Sequence, residues 1–181
     1  MERLRQLGWP VVYNQSDWAR VDAKVAQDVK QFLAAGMTDK HFRGIYICGG
    51  IGTGKSCLLA LIARFFAMYY PFNPQFISVS QLFDMYFERN YDRVNALMQS
   101  TLLFLDDLGT EYSTDFPLAK FSRMMEYRYS HLYPTFVTSN LLLKDLKAIP
   151  GFERIADRFS DPLWMRQCVV TGSSKRGKAT T

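Results

Sequence analysis

Cysteine is scarce in these 181 residues, and Cys48, Cys57 and Cys168 show neither C-x-x-C spacing nor an even count. This argues against a disulfide framework or a thiolate metal cluster and fits reduced core residues in a cytoplasmic protein. Long apolar runs are missing too. The start, MERLRQLGWP, has no signal-peptide-like apolar stretch, and LLALIARFFAMYY (58–70) is too short to span a bilayer and contains Arg64, so no membrane association is expected. No internal repeat is present. Strong charge is lacking as well: of the formal net charge of +5, Lys175, Arg176 and Lys178 in the acid-free tail TGSSKRGKATT supply more than half. That tail is either a solubilising end or a weak contact for a phosphate backbone.

What is present is apolar, patterned sequence. Hydrophobic residues make up 48% of the chain, enough to fill one α/β domain with helices on both faces of a sheet. Strand-like runs are GIYIC (44–48), QFISV (75–79), TLLFLD (101–106), TFVTS (135–139) and RQCVVT (166–171). Helical patterns fall between them at about 56–70, 80–98, 116–131 and 152–160, with Phe121, Met124 and Met125 at i, i+3, i+4 spacing. Such alternation predicts a parallel sheet wrapped on both faces. The division expected is residues 1–43 as an N-terminal linker or docking arm with one possible helix at 18–35, 44–172 as the core, and 173–181 as a basic flexible tail.

Within YICGGIGTGKSCLL (46–59) the apolar sequence breaks into four glycines inside six residues and then resumes. Gly49, Gly50, Ile51, Gly52, Thr53, Gly54, Lys55 and Ser56 match the P-loop pattern G-x-x-x-x-G-K-[ST] at each fixed position, and Cys57 follows in the same turn. Such a loop wraps backbone N–H groups around an anion, and the N-terminus of the following helix adds partial positive charge. Lys55 neutralises the β- and γ-phosphates of ATP in this reading, and the Ser56 hydroxyl ligates Mg²⁺. The bland alternative is a Gly-rich turn with a surface lysine. The buried strand pattern before it and the helical pattern after it favour the nucleotide reading.

Hydrolysis also needs an acid to hold the metal and a group to orient water. LLFLDDLG supplies candidates: Asp106 for the Mg²⁺ hydration shell opposite Ser56, and Asp107 to polarise the attacking water. Two aspartates at a strand end also suit a turn and a helix cap. In YPTFVTSNLLL the strand delivers Asn140 to the carboxyl edge of the sheet, in reach of a γ-phosphate or the lytic water unless it is a turn asparagine. GFERIADRFSD puts Arg154 and Arg158 on one helical face, where salt bridges to Glu153, Asp157 or Asp161 are the simple alternative.

The succession GGIGTGKS, LLFLDDLGTE, EYRY, PTFVTSNL and ERIADRF resembles the AAA+ ATPases of the DnaC, DnaI and IstB group, bacterial and phage helicase loaders and transposition helper ATPases. The likeness covers residues 8–172 and includes GWPVVYNQSDW, similar to the group's lead-in segment near the adenine. It implies a five-stranded parallel sheet of order 5-1-4-3-2, with the Asn140 strand between those of the P-loop and Asp106, and no C-terminal lid domain. It also implies that Arg158 is an arginine finger reaching a neighbouring subunit's γ-phosphate in an ATP-dependent self-assembly, with Arg154 in reserve and Arg128 of EYRY facing that interface. Family loaders place a helicase-binding domain ahead of the ATPase; here about 43 residues precede the first strand, so either those residues dock or the partner differs. Asp107 stands where most AAA+ proteins have glutamate, and its shorter reach implies slow hydrolysis.

The expected function is an ATP- and Mg²⁺-dependent loader that engages a DnaB-like replicative helicase and single-stranded DNA in the cytoplasm. An IstB-like transposition or recombination helper on duplex DNA is the alternative, and a non-catalytic nucleotide-binding adaptor is the third. For the single strand, LFDMYFERNYDRVNALMQ (82–99) interleaves Phe83, Tyr86, Phe87 and Tyr91 with Arg89 and Arg93. Helical spacing of Leu82, Met85 and Tyr86 explains part of it equally well as core.

Overall fold

The computed structural model describes residues 9–11, 13, 16–39, 41–70, 74–109 and 115–172. The expected basic tail at 173–181 lies outside them, as does Glu111 of the LLFLDDLGTE motif. Five strands form one sheet: β1 (Gly44–Cys48), β2 (Gln75–Ser78), β3 (Leu103–Leu108), β4 (Thr135–Ser139) and β5 (Met165–Val169). All neighbours pair in parallel, and the order β2-β3-β4-β1-β5 is the expected 5-1-4-3-2 read from the other edge.

The central strands β1 and β4 are buried along their whole length, as GIYIC and TFVTS require of strands covered on both faces. Their side chains alternate between two cores. Ile45, Ile47, Phe104 and Phe136 face α1 (Ala23–Asp39) and α2 (Lys55–Tyr69). Tyr46, Leu103, Leu105 and Val137 face the other side, where Leu82, Leu97, Phe121, Met124 and Phe159 pack. That second layer holds α3 (Val79–Phe87), α4 (Tyr91–Gln99), α5 (Asp115–Ser130), α6 (Leu143–Lys147) and α7 (Glu153–Ser160).

Two departures have local causes. The helix expected over 80–98 is two: Arg89 takes a left-handed backbone (φ 58°), and the Asn90 side chain then accepts the Arg93 N–H to start α4 anew. In the stretch expected as a linker or docking arm, α1 runs over 23–39 and buries Val29, Phe32 and Leu33 in the first core. A short 3-10 turn, Trp18–Arg20, capped by Asp17, leads into it.

One irregularity bears on function. Between Leu105↔Val137 and Leu108↔Ser139, β3 uses one residue more than β4, a β-bulge at Asp106 and Asp107. Asp107 adopts φ 66°, a left-handed conformation uncommon for aspartate, while its N–H donates to Thr138 Oγ1 at 2.8 Å.

Candidate nucleotide site

The loop after β1 turns into α2 through two demanding glycines. At Gly49 (φ 148°) a Cβ would lie 2.1 Å from the Val170 carbonyl oxygen, so only glycine lets the loop pass β5 this closely. Gly54 (φ 98°) is the N-cap of α2 and offers no side-chain acceptor to its first-turn amides. The fifteen-residue helix therefore presents its N-terminus uncapped toward the loop, the arrangement that suits a phosphate. Thr53 Oγ1 donates to Gly50 O at 2.9 Å and tightens the curl.

Lys55 is only 6% exposed, and its ammonium turns into the loop. It donates to Gly49 O (3.0 Å), Gly50 O (2.8 Å) and Asn140 Oδ1 (2.7 Å). Asn140 is thus brought to the P-loop lysine from the end of β4, and its Nδ2 lies 3.4 Å from Asp107 Oδ1. Its reading as a site residue rather than an isolated turn asparagine is supported by this bridge between two other candidates.

Asp106 is 7% exposed and accepts from both sides. Ser56 Oγ donates to its Oδ1 at 2.9 Å, Thr138 Oγ1 donates to the same oxygen, and the Tyr13 hydroxyl donates to Oδ2 at 3.1 Å. Asp107, one residue later, is exposed. The bulge explains the division: one carboxylate is held inside by three hydroxyls and its neighbour is aimed outward. Burial, and then the nearby Asp106 carboxylate, raise the Tyr13 pKa above that of a free phenol.

Sequence reasoning missed Thr138 and Tyr13. A polar residue inside the buried strand TFVTS was a usable signal for Thr138. Tyr13 had none, since its partner lies 93 residues away. The lead-in segment GWPVVYNQSDW, expected near the adenine, sends Trp9 onto Phe76 and Phe104 (ring centroids 4.3 and 5.4 Å) and Tyr13 onto Asp106.

Among the described residues no three His, Cys, Asp or Glu side chains cluster. The oxygen set of Ser56 and Asp106 suits a hard divalent cation whose remaining ligands are phosphate oxygens and water, the usual mode of Mg²⁺ and not of a protein-caged metal.

No protein-family model matches the chain. The replicative helicase loader DnaI of Bacillus subtilis (strain 168) is 28% identical over 129 residues, a stretch that covers 67% of this chain and 40% of that protein. A crystal structure of DnaI matches with a TM-score of 0.75 at 23% identity, covering 93% of this chain and 94% of the other. A crystal structure of the DnaC helicase loader matches at 0.73 and 18% identity, covering 90% and 100%. The chain has the fold of the DnaI and DnaC helicase loaders. A replication initiator DnaA bound to AMPPCP and single-stranded DNA shares it more distantly, with a TM-score of 0.58 at 18% identity over 70% of this chain and 40% of that one. The chain spans 40% of the length of the curated DnaI it matches.

Elsewhere in this fold, Arg154 and Arg158 lie on α7 and Arg128 on α5. Arg158 pairs with Glu126 (Nε to Oε2, 3.1 Å) and Asp157 (3.1 Å) and lies over the Tyr129 ring at 4.9 Å. Arg154 is exposed on the same helix, and both line a cleft of about 1030 Å³ between α5 and α7, with Arg123, Lys147 and Tyr127.

Arg128 departs from expectation. It is 0% exposed and donates to Thr135 Oγ1 (2.8 Å) and to the carbonyls of Leu97 (3.2 Å), Met98 (3.0 Å), Ser100 (2.7 Å) and Pro134 (2.9 Å). It ties the end of α4 to the start of β4 inside the subunit and does not face an interface. Burial pushes its pKa down to about 9, which still leaves it cationic at neutral pH.

The aromatic-basic segment also divides. Phe83 and Tyr86 belong to the core, and Tyr86 OH donates to Met124 Sδ at 3.7 Å. Phe87 (57% exposed) and Tyr91 (42%) remain on the surface with Arg89 and Arg93. No helix among the described residues is long and apolar enough to cross a membrane.

Proposed function

We propose that this chain is an ATP-binding, slowly hydrolysing helicase loader that engages a DnaB-like replicative helicase and single-stranded DNA in the cytoplasm. The observation that carries it is the junction of Lys55, Asn140, Asp107, Thr138, Asp106 and Ser56 in one hydrogen-bonded set beside an uncapped helix N-terminus, in a fold shared with DnaI and DnaC.

In that reading Gly49 to Cys57 wrap the phosphates with backbone N–H groups, and Lys55 exchanges its loop carbonyls for phosphate oxygens. Ser56 and Asp106 hold Mg²⁺, which when bound neutralises charge on the phosphate oxygens. Asp107, aimed outward by the bulge, accepts the proton of the attacking water, and Asn140 orients that water or the γ-phosphate. Asp107 has a short side chain, which supports slow turnover.

Arg158, with Arg154 beside it, serves a neighbouring subunit's nucleotide; within its own subunit it pairs with Glu126 of α5 and Asp157 of α7. The first 43 residues contribute to helicase docking, and Phe87, Arg89, Tyr91 and Arg93 offer the single strand stacking faces and backbone charges.

Pull-down of a hexameric replicative helicase with and without ATP tests the assignment. Nucleotide-dependent capture is expected; binding of duplex DNA with no helicase capture would replace it with a transposition helper, and absence of ATP turnover would leave only an adaptor. Subunit mixing tests Arg158. Arg158→Ala and Lys55→Ala proteins are each expected to be inactive, and their mixture to regain turnover at interfaces that combine an intact loop with an intact arginine. A mixture as inactive as its components, where wild type assembles, would refute the trans role.

A further inference from the structure

Tyr13 reaches the site from the N-terminal segment and is fastened on both sides. Before it, Trp9 is buried against Phe76 and Phe104. After it, Ser16 N–H donates to Tyr13 O (3.0 Å), and Ser16 O accepts from Arg64 Nη1 of α2 (2.8 Å). Between these anchors the phenol lies over the two groups that suit a divalent cation, with its hydroxyl 3.1 Å from Asp106 Oδ2 while Ser56 Oγ holds Oδ1 at 2.9 Å. Tyr13 is half-buried, so a modest shift of the segment frees it without opening either core.

A donor on Asp106 Oδ2 has two effects on a cation. It draws on the lone pairs and charge that would attract the metal, and its oxygen takes space beside the carboxylate that a hydrated ion needs. Structural support of Asp106 does not require it, because Ser56 and Thr138 already hold the other oxygen.

We propose that the Tyr13 hydroxyl competes with a hydrated divalent cation for Asp106, so that joint binding of metal and nucleotide releases Tyr13 and loosens residues 16–21 that follow it. The inference rests on the P-loop being a nucleotide site. It makes Tyr13 a residue that sets how much metal the site demands, and it ties the N-terminal segment to what the loop holds.

The test compares full-length wild type with Tyr13→Phe, which keeps the ring and removes the donor. Affinity for a fluorescent ADP analogue is measured in EDTA and across a Mg²⁺ titration. Affinity in EDTA is expected to be equal in the two proteins, while the Mg²⁺ concentration at half-maximal effect falls roughly 3- to 10-fold in the variant, the scale of one hydrogen bond to a charged acceptor at a half-buried site. Amide exchange supplies a second readout: in wild type, exchange across residues 16–21 should speed up when Mg²⁺ and ADP are added together. An equal Mg²⁺ midpoint, or a higher one in Tyr13→Phe, overturns the competition, the second result making Tyr13 a support for the metal; slower exchange across 16–21 overturns the release. Failure of wild type to bind nucleotide in either condition overturns the P-loop reading and this inference with it, whereas intact binding with an unchanged midpoint overturns this inference alone.

Discussion

Replacing Arg128 with methionine keeps much of the side-chain volume and removes every donor. Six acceptors lose this donor: Thr135 Oγ1, Ser100 Oγ and the carbonyls of Leu97, Met98, Ser100 and Pro134, although Leu97 O keeps the Ser100 hydroxyl and Pro134 O keeps the Leu103 N–H. A buried acceptor left bare costs about 1–3 kcal/mol, so the other four make the gross loss roughly 4–12 kcal/mol. Against it stands the several kcal/mol no longer spent desolvating a guanidinium, together with water reaching the carbonyls at the end of α4. The net is about 3 kcal/mol, which in a domain of this size lowers Tm by roughly 6–12 °C. Arg128→Lys should fall between, since one ammonium cannot span acceptors on both the α4 end and the β4 start. Thermal melts followed by circular dichroism, with ATP affinity measured at 25 °C, check both parts. ATP affinity should be retained, because Arg128 meets the beginning of β4 and the P-loop follows the end of the parallel strand β1. An unchanged Tm accompanied by lost self-association would refute the argument and return Arg128 to a subunit interface.

Lys55→Ala should abolish tight ATP binding, because its ammonium is the cation held against the loop carbonyls; unchanged affinity by calorimetry would overturn the site. Asp107→Asn should keep ATP and Mg²⁺ binding while turnover falls by about 10²-fold or more, as steady-state phosphate release would show, and equal loss of binding would make Asp107 a metal ligand. Burial raises the Cys168 thiol from the usual 9.0 to about 11, with the neighbouring Cys48 adding to it. Its alkylation by iodoacetamide at pH 8 should therefore be slow until the protein is unfolded, as read by mass spectrometry. The sign follows for stability: between pH 9 and 11 the unfolded chain releases this proton and the folded chain keeps it, so the thiol's contribution erodes as pH rises through that window.

The parts of the site legible in the sequence were those whose chemistry lies in contiguous residues. The P-loop, the Asp106–Asp107 pair and the strand leading to Asn140 each announce themselves within eight or so positions, and the structure joins them through Lys55 and Thr138. Strands β1 and β4 were readable to the residue because β1 is an unbroken apolar run and β4 is rich in β-branched and aromatic residues. The break at Arg89 was not, since a left-handed arginine between two amphipathic stretches leaves no mark in hydrophobic spacing. Helix α6, only Leu143 to Lys147, is too short to show a period. Arg128 misled because the family resemblance alone put it at an interface, and only tertiary structure reveals the carbonyls around it. Tyr13 shows the same limit across 93 residues.

The bulge in β3 has a consequence for how the acid pair can vary. In a regular strand consecutive side chains leave on opposite faces, so two adjacent aspartates would serve different sides of the sheet. The extra residue cancels that alternation for one step, and both carboxylates meet the same edge. Their partnership is a property of strand length before it is one of side-chain identity. Substitutions can silence either acid alone, but a one-residue deletion at this point would leave a regular strand with Leu108 still opposite Ser139 and a single residue opposite Thr138, so the bulge is what makes room for a second acid.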